Sequence, residues 1–261
     1  MNIFFRDLSD SIKKIVLPLT LGKQDIGLRY KRSILGPFWI TINILILSSC
    51  LSFVFGFILK QDLKILFPHL FFGLIFWNFL TQTINDGCIV FSGNAHMLQQ
   101  VKIPYIILIF RVLIRNTYIL IHNAITFPII IFIFNVNVNL NLFLFLPNFL
   151  LVLLLLFFLC IIIGIFNARF RDVENIVQNL LNVCFYLTPI FWSLDLLKDS
   201  KYQFLIVLNP FYHLLELLRA PFLGLSVSLI NYLFVICLTI ILFTFAMYLF
   251  LKFKKRIVYW I

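Results

Sequence analysis

Long apolar runs separated by short polar segments are the feature that most limits how this chain can fold. Since about 20 apolar residues cross the hydrocarbon core of a bilayer, such runs predict membrane-spanning helices. The six runs lie at about residues 36–59, 67–86, 104–134, 142–166, 175–193 and 227–251. Only 12% of the 261 residues are charged, against about 25% in a typical soluble domain. The sequence therefore predicts an all-α membrane protein with six transmembrane helices, the third kinked by Pro128 and the fifth short and polar.

Two further segments are predicted to be helices that do not cross the membrane. Residues 3–20 repeat apolar side chains at helical spacing, which predicts an amphipathic helix. It would either lie in the headgroup plane as an interface helix or pack against the bundle. Between spans five and six, residues 202–225 are interrupted by Asn209-Pro210 and Ala220-Pro221. A re-entrant hairpin, or a pair of short gate helices, fits this stretch better than another span.

The distribution of Lys and Arg predicts the orientation. Most of the 21 basic residues fall in segments that a cytoplasmic N-terminus would place inside, whereas Arg111 and Arg115 fall within span three. Six spans then put both termini in the cytoplasm of a multi-pass inner-membrane (plasma-membrane) protein. The net charge of +11 gives no indication of nucleic-acid binding, because the basic residues do not share a soluble face.

Motifs of nucleotide hydrolysis and metal chemistry are absent from the sequence. The glycine-containing segment 22–27 is followed by Leu28-Arg29, where a phosphate loop needs Lys followed by Ser or Thr. The four His residues lack the HExxH spacing, and the five Cys residues include no CxxC pair. We therefore predict a non-catalytic chain without a cofactor or metal of its own.

Two polar clusters interrupt the first half of the chain. Residues 25–39 (DIGLRYKRSILGPFW) form a basic segment leading into span one, with Trp39 as a membrane-interface anchor. In the loop 86–104, residues 94–102 would form one or two helical turns. Exposed Met97, Leu98 and Val101 would suit docking into a groove of another protein, and an ordinary connector is the alternative.

Two more clusters lie in the second half. The turn at 167–175 leads into a polar stripe on span five, which would face water or another protein or form interhelical hydrogen bonds. In residues 209–224 the spacing of His213, Glu216 and Arg219 puts them near one helix face. They would form a network of functional importance or a structural ion pair that holds the hairpin.

Taken together, these clusters resemble the polysaccharide-export branch of the ABC-2 permeases, which includes O-antigen, capsule and teichoic acid exporters. The matching segments, in order, are 25–39, 168–172 (ARFRD) with 188–192 (TPIFW), and 209–224 (NPFYHLLELLRAPFLG). The closing residues 256–260 (RIVYW) are similar to O-antigen permeases in particular. The resemblance implies a single ABC-2 transmembrane domain over 1–261, with a cytoplasmic interface segment (1–35), six spans (36–251) and a cytoplasmic tail (252–261).

The resemblance also implies partners and site residues. It implies a homodimeric pore for a lipid-linked polysaccharide, docked on a separate ABC ATPase subunit that binds the ATP. Coupling to the ATPase would use Asn94, Met97, Leu98, Gln99, Lys102, Arg169, Arg171 and Asp172. The polymer path would include Arg29, Tyr30, Arg32, Trp39, Tyr186 and Trp192. The external gate would contain His213, Glu216 and Arg219. The loop segment 99–102 (QQVK) is less basic than the family pattern leads us to expect.

Three other functions remain open from the sequence. A membrane enzyme acting on lipid-linked sugars would need an indispensable loop acid and turnover without ATP. Drug-exporting ABC-2 permeases share the fold but lack the four clusters in this order. A secondary transporter would show inverted repeats, and the sequence has no such internal symmetry.

Overall fold

The computed structural model describes residues 2–31, 33–36, 38–191 and 206–261. Over these residues the fold is all-helical as predicted, with 83% helix and no strand. The helices, in order, are α1 (Asn2–Lys13), α2 (Val16–Arg29), α3 (Phe38–Leu59), α4 (Leu63–Cys88), α5 (Ala95–Gln100), α6 (Ile106–Ala124), α7 (Phe127–Ile133), α8 (Phe145–Arg169), α9 (Asp172–Leu187), α10 (Pro210–Arg219) and α11 (Leu229–Trp260). Short 3-10 turns lie at Ser92–Asn94, Leu140–Leu144 and Ala220–Leu223.

Five segments of the described chain are long and apolar enough to cross a membrane. They are Phe38–Ile58, Leu63–Cys88, Ile106–Ile133, Leu140–Arg169 and Leu229–Trp260, which correspond to predicted spans one to four and six. The third is divided between α6 and α7, just before Pro128 in the first turn of α7. A proline ring has no N–H to donate and clashes with the preceding turn, so the helix ends there.

The predicted fifth span is not among these five segments. Helix α9 has 16 residues, about 24 Å at 1.5 Å per residue, which is less than the roughly 30 Å hydrocarbon core. It also opens with two acids, Asp172 and Glu174. The residues 192–205 lie outside the described part of the chain.

Helices α4 and α8 form the centre of the bundle, in close contact. A Cβ atom added at Gly164 would lie 2.6 Å from Val90 Cγ1 and 3.1 Å from the Gly87 carbonyl oxygen. One added at Gly87 would lie 2.5 Å from the sulfur of Cys160. Small residues allow membrane helices to approach each other, where dispersion replaces the hydrophobic effect as the main attraction. The other helices pack around this pair.

Both ends of the chain lie at one end of the bundle, which we call the termini end. The Asp7 carboxylate accepts a hydrogen bond from Lys254 Nζ at 2.6 Å and another from the backbone N–H of Ile106 at 3.1 Å. Phe4, 1% exposed, packs edge-to-face on Phe250. The first helix therefore packs against the bundle, and the N-terminal segment forms two helices rather than the single one predicted. Burial, and then the Asp7 carboxylate, raise the pKa of the Tyr105 phenol.

The opposite, distal end contains the turns after α3 and α7 and the residues around α10. A phenylalanine cluster holds the 3-10 turn after α10 against the core. Phe222 is 4.8 Å from Phe145, 4.9 Å from Phe127 and 5.2 Å from Phe72 between ring centroids. Such edge-to-face and offset pairs add to the stabilisation from burial. Helix α10 is thus fixed within the bundle and does not lie loosely on its surface.

Candidate functional sites at the two ends of the bundle

Two arginines within the third candidate span are paired with two aspartates from other helices. Arg111 binds Asp25 of α2 through two nitrogens, with Nε–Oδ2 at 2.8 Å and Nη2–Oδ1 at 2.5 Å. Arg115 lies 2.6 Å from Asp86 of α4 and 3.3 Å from Asp25. The four side chains are only 12–21% exposed. Pairing offsets the cost of charges in apolar surroundings, and the bidentate geometry fixes their positions.

Three amide side chains extend this ion network. Arg111 Nη1 donates to Asn94 Oδ1 at 2.8 Å, which ties the network to the 3-10 turn before α5. Asn116 Nδ2 and Gln82 Nε2 donate to the two oxygens of Asp86, at 2.9 and 3.2 Å. The termini-end network therefore joins α2, α4, α6 and the turn that leads into α5.

Close packing of α2 on α6 makes the network possible. A Cβ atom at Gly22 would lie 3.3 Å from Ile114 Cγ2 and 3.5 Å from the Arg111 carbonyl oxygen. The missing side chain lets the α2 backbone lie against α6. Asp25, about one turn further along α2, then reaches the guanidinium groups.

The predicted docking segment is a short helix, but one of its predicted contact residues points inward. Leu98 is 8% exposed and belongs to the hydrophobic core, and Met97 packs partly against that core. The prediction of an exposed Leu98 is therefore wrong, because α5 turns its apolar side toward the bundle. Gln99, Val101 and Lys102 are exposed, and they form the accessible side of this segment.

The turn between α8 and α9 lies beside the same segment. The buried side chain of Asn167 donates to Ser92 Oγ at 3.4 Å and accepts the N–H of Glu174 at 3.2 Å. The Arg169 guanidinium carbon lies 5.5 Å from the Trp260 ring centroid, within cation–π range.

The C-terminal residue also contacts the α5 segment. Gln99 Nε2 donates to the Ile261 carbonyl oxygen at 3.1 Å. Arg171 and Asp172 are exposed on the same turn as Arg169. We use the name coupling surface for the exposed residues of this region: Gln99, Val101, Lys102, Arg169, Arg171 and Asp172.

The described residues predicted to line the polymer path lie at the ends of three helices, α2, α3 and α9. Arg29 is exposed, with its guanidinium carbon 6.0 Å from the ring centroid of half-buried Tyr30. Trp39, in the first turn of α3, is 49% exposed, and Tyr186, in the last turn of α9, is 73% exposed. Arg32 and Trp192 lie outside the described residues. Along α9, the predicted polar stripe is exposed: Asn175, Gln178, Asn179 and Asn182.

At the distal end the structure brings together Glu216 and Arg219, as their spacing predicts. Arg219 is 3% exposed, and its Nη2 pairs with the Glu216 carboxylate. Its Nη1 lies 2.9 Å from His69 Nε2 and donates to the Pro189 carbonyl oxygen at 3.2 Å. Because a guanidinium can only donate, His69 Nε2 is the acceptor in this contact. His69 of α4 was not predicted as a member of this group.

The predicted His–Glu–Arg network is wrong in its histidine. His213 Nδ1 lies 2.8 Å from Asn231 Oδ1, and His213 Nε2 lies 2.7 Å from the Val207 carbonyl oxygen. Its ring stacks on Phe234 with centroids 4.0 Å apart. His213 and Arg219 are six residues apart, which leaves a rotation of about 120° between their side chains on a helix. That offset turns His213 toward α11, while Arg219 reaches α4.

Over its described residues this chain is helical, and five segments there are apolar enough to cross a membrane, which defines a multi-pass membrane protein. It matches the ABC-2 type transporter family over residues 19–223 and belongs to that family, which confirms the resemblance that the polar clusters indicated. Similar proteins include the O-antigen export system permease protein RfbA of Myxococcus xanthus, 25% identical over 210 residues that cover 79% of this chain and 80% of that protein. A protein of the same name from Klebsiella pneumoniae is 24% identical over 199 residues, 74% of this chain and 75% of its own.

Proposed function

We propose that this chain is the transmembrane permease subunit of an ABC exporter that moves a lipid-linked polysaccharide across the inner membrane, powered by a separate ATPase subunit. The observation that carries the proposal is the family match, combined with relatives named for O-antigen export that align along about three quarters of the chain. The coupling surface at the termini end is the docking site for the ATPase, and the permease acts as a homodimer.

The described contacts support six crossings. The contact of Asp7 with Lys254 supports chain ends on one side of the membrane, which requires an even number of crossings. Asn167, at the start of the α8–α9 turn, contacts Ser92 at the termini end. Thr188, just after α9, accepts a hydrogen bond at 2.9 Å from Asn209 of the distal end. Helix α9 with its following residues is therefore the short fifth crossing.

The exposed polar stripe of α9 supports a role for this helix at the homodimer interface or the polymer path. Asn and Gln side chains facing lipid lose hydrogen bonds to water without replacement, so polar intramembrane surfaces face protein or water. Tyr186 and Trp39 provide exposed aromatic rings on which sugar rings can stack. Helix α10 and the 3-10 turn that follows, held by the Glu216–Arg219 pair, form the external gate.

The excess of Lys and Arg at the termini end supports cytoplasmic termini. Cysteine labelling from one side of the membrane tests this together with the fifth crossing. Lys23→Cys, Arg171→Cys and Lys255→Cys should react only from the cytoplasm, and Lys198→Cys, which lies outside the described residues, only from the outside. Labelling of positions 171 and 198 from the same side would contradict the six-crossing topology.

Export in cells tests the function itself. Deleting the gene should remove the polysaccharide from the cell surface and leave the lipid-linked polymer inside, as detected by a lectin with and without permeabilisation. A partner ATPase with its phosphate-binding Lys replaced by Ala should give the same phenotype. An unchanged amount of surface polymer in the deletion strain would refute the proposal.

A further inference from the structure

A cavity of about 650 Å³ lies at the distal end, between the start of α4, the turn after α7, and α10. Its polar lining includes Lys64, His69, Glu216 and Arg219. The volume falls within the roughly 300–1,000 Å³ of small-molecule binding sites. The ion pair and its histidine thus form the wall of a cavity that is large enough to take a ligand.

The charged side chains that line this cavity are Lys64, Arg219 and Glu216, so one positive charge is left over. Arg219 is paired with Glu216, and its contact with His69 Nε2 requires that nitrogen to be unprotonated. Lys64 contributes an exposed ammonium group. A phosphate or carboxylate entering the cavity would meet the like charge of Glu216. A neutral ligand with hydroxyl groups can instead donate to the carboxylate and accept from the ammonium group.

Much of the remaining lining is apolar, and Asn135 and Asn137 add two amide groups to it. Pro68, Phe134, Val136 and Leu225 line the cavity beside the polar group. Pyranose rings combine an apolar C–H face with hydroxyl groups at their edge, so they match walls that are apolar on one side and hydrogen-bonding on the other.

We propose that this cavity is a binding subsite for neutral sugar residues, with room for roughly two or three pyranose rings by volume. The inference rests on the proposed function, because a polymer leaving the permease at the distal end would pass this cavity. A weak subsite there would hold the emerging chain between successive transport steps and oppose its return.

The test uses the full permease with its ATPase in lipid nanodiscs, and three trisaccharide probes: maltotriose, triacetylchitotriose and a rhamnose trisaccharide. Ligand-observed saturation-transfer NMR gives the affinity of each. Val136→Trp fills the cavity, and Val138→Trp is the matched control, because Val138 is exposed and does not line the cavity. Lys64→Met removes a donor at an exposed position, so a folding defect is not expected.

At least one trisaccharide should bind the wild type. The same trisaccharide should bind Val136→Trp about tenfold more weakly. It should bind Lys64→Met about threefold more weakly, because one hydrogen bond is lost. Val138→Trp should bind like the wild type. Equal binding by both Val variants, or no binding of any probe to the wild type, would overturn the subsite. Displacement of the sugar by inorganic phosphate at low millimolar concentration would overturn it in favour of an anion site.

The surface-export measurement separates this inference from the proposed function. Normal export by the wild type, combined with sugar binding that Val136→Trp does not change, rejects the subsite alone. An unchanged amount of surface polymer after deletion of the permease gene rejects the proposed function.

Discussion

Removing the carboxylate of Asp25 should destabilise the permease more than any exposed charge on the same helix. Asp25→Asn keeps the shape of the side chain but leaves Arg111 without its bidentate partner, and Arg115 with Asp86 alone. Breaking a fully buried pair costs about 3–5 kcal/mol. The side chains of Asp25 and Arg111 are 13% and 20% exposed, so water screens part of the charge, and we expect about 2–3 kcal/mol.

Thermal unfolding of the purified protein in nanodiscs measures this loss, read as a fall in Tm of about 5–10 °C for a chain of this size. Lys23→Gln, which removes an exposed charge from α2, is the control and should change Tm by less than about 2 °C. Arg111→Gln should also be destabilising, whereas the double variant should lose clearly less than the sum of the two. Additivity within about 0.5 kcal/mol would show that the two residues do not interact and would refute the reasoning.

Three further predictions concern the coupling surface, the start of α10 and the proposed external gate. Val101→Asp should leave membrane insertion and stability intact but weaken co-purification with the ATPase, whereas Leu98→Asp, which buries a charge, should unfold the chain at lower temperature. Equal effects of these two variants would contradict the assigned orientation of α5. Asn209→Ala removes the cap of α10 at the Phe211 N–H and the bond to Thr188, and should cost about 1–2 kcal/mol in thermal unfolding; an unchanged Tm would contradict this role. Glu216→Ala and Arg219→Ala should each reduce surface export with expression matched, and the double variant should lose less than the sum; strict additivity would contradict a functional pair.

The parts of the fold that depend on local sequence were predictable. Apolar runs identified five of the helices that are long enough to span, because about 20 apolar residues in a row have few stable alternatives to a membrane helix. The break before Pro128 follows from the same local chemistry. Helix α9 differs from the predicted fifth span, 175–193. A hydropathy average over that range does not show that the helix ends at Leu187.

The partners of charged groups were not predictable, since they depend on tertiary packing. Arg111 and Arg115, four apart in an apolar run, are a sequence signal for one charged helix face. Nothing local to them identifies Asp25, 86 residues away from Arg111. Likewise, the partner of Arg219 on α4 is His69, 150 residues away, whereas its pairing with Glu216 follows from helical spacing.

Which face of a short helix is buried also could not be predicted from the sequence. In α5 a six-residue helix gives too few positions for its apolar side to be distinguished from a docking face. Leu98 is buried because of how this helix packs at the termini end. The spacing of apolar residues gives no information about that packing.

Transport by the reconstituted complex tests whether this permease exports polysaccharide with energy from ATP. The permease and its ATPase are placed in vesicles with lipid-linked polysaccharide, and the polymer that reaches the lumen is measured by its protection from an added glycosidase. We expect protection that requires the permease, the ATPase and hydrolysable ATP, and no ATP hydrolysis by the permease alone. Protection that develops equally without ATP, or without the permease, would contradict this expectation.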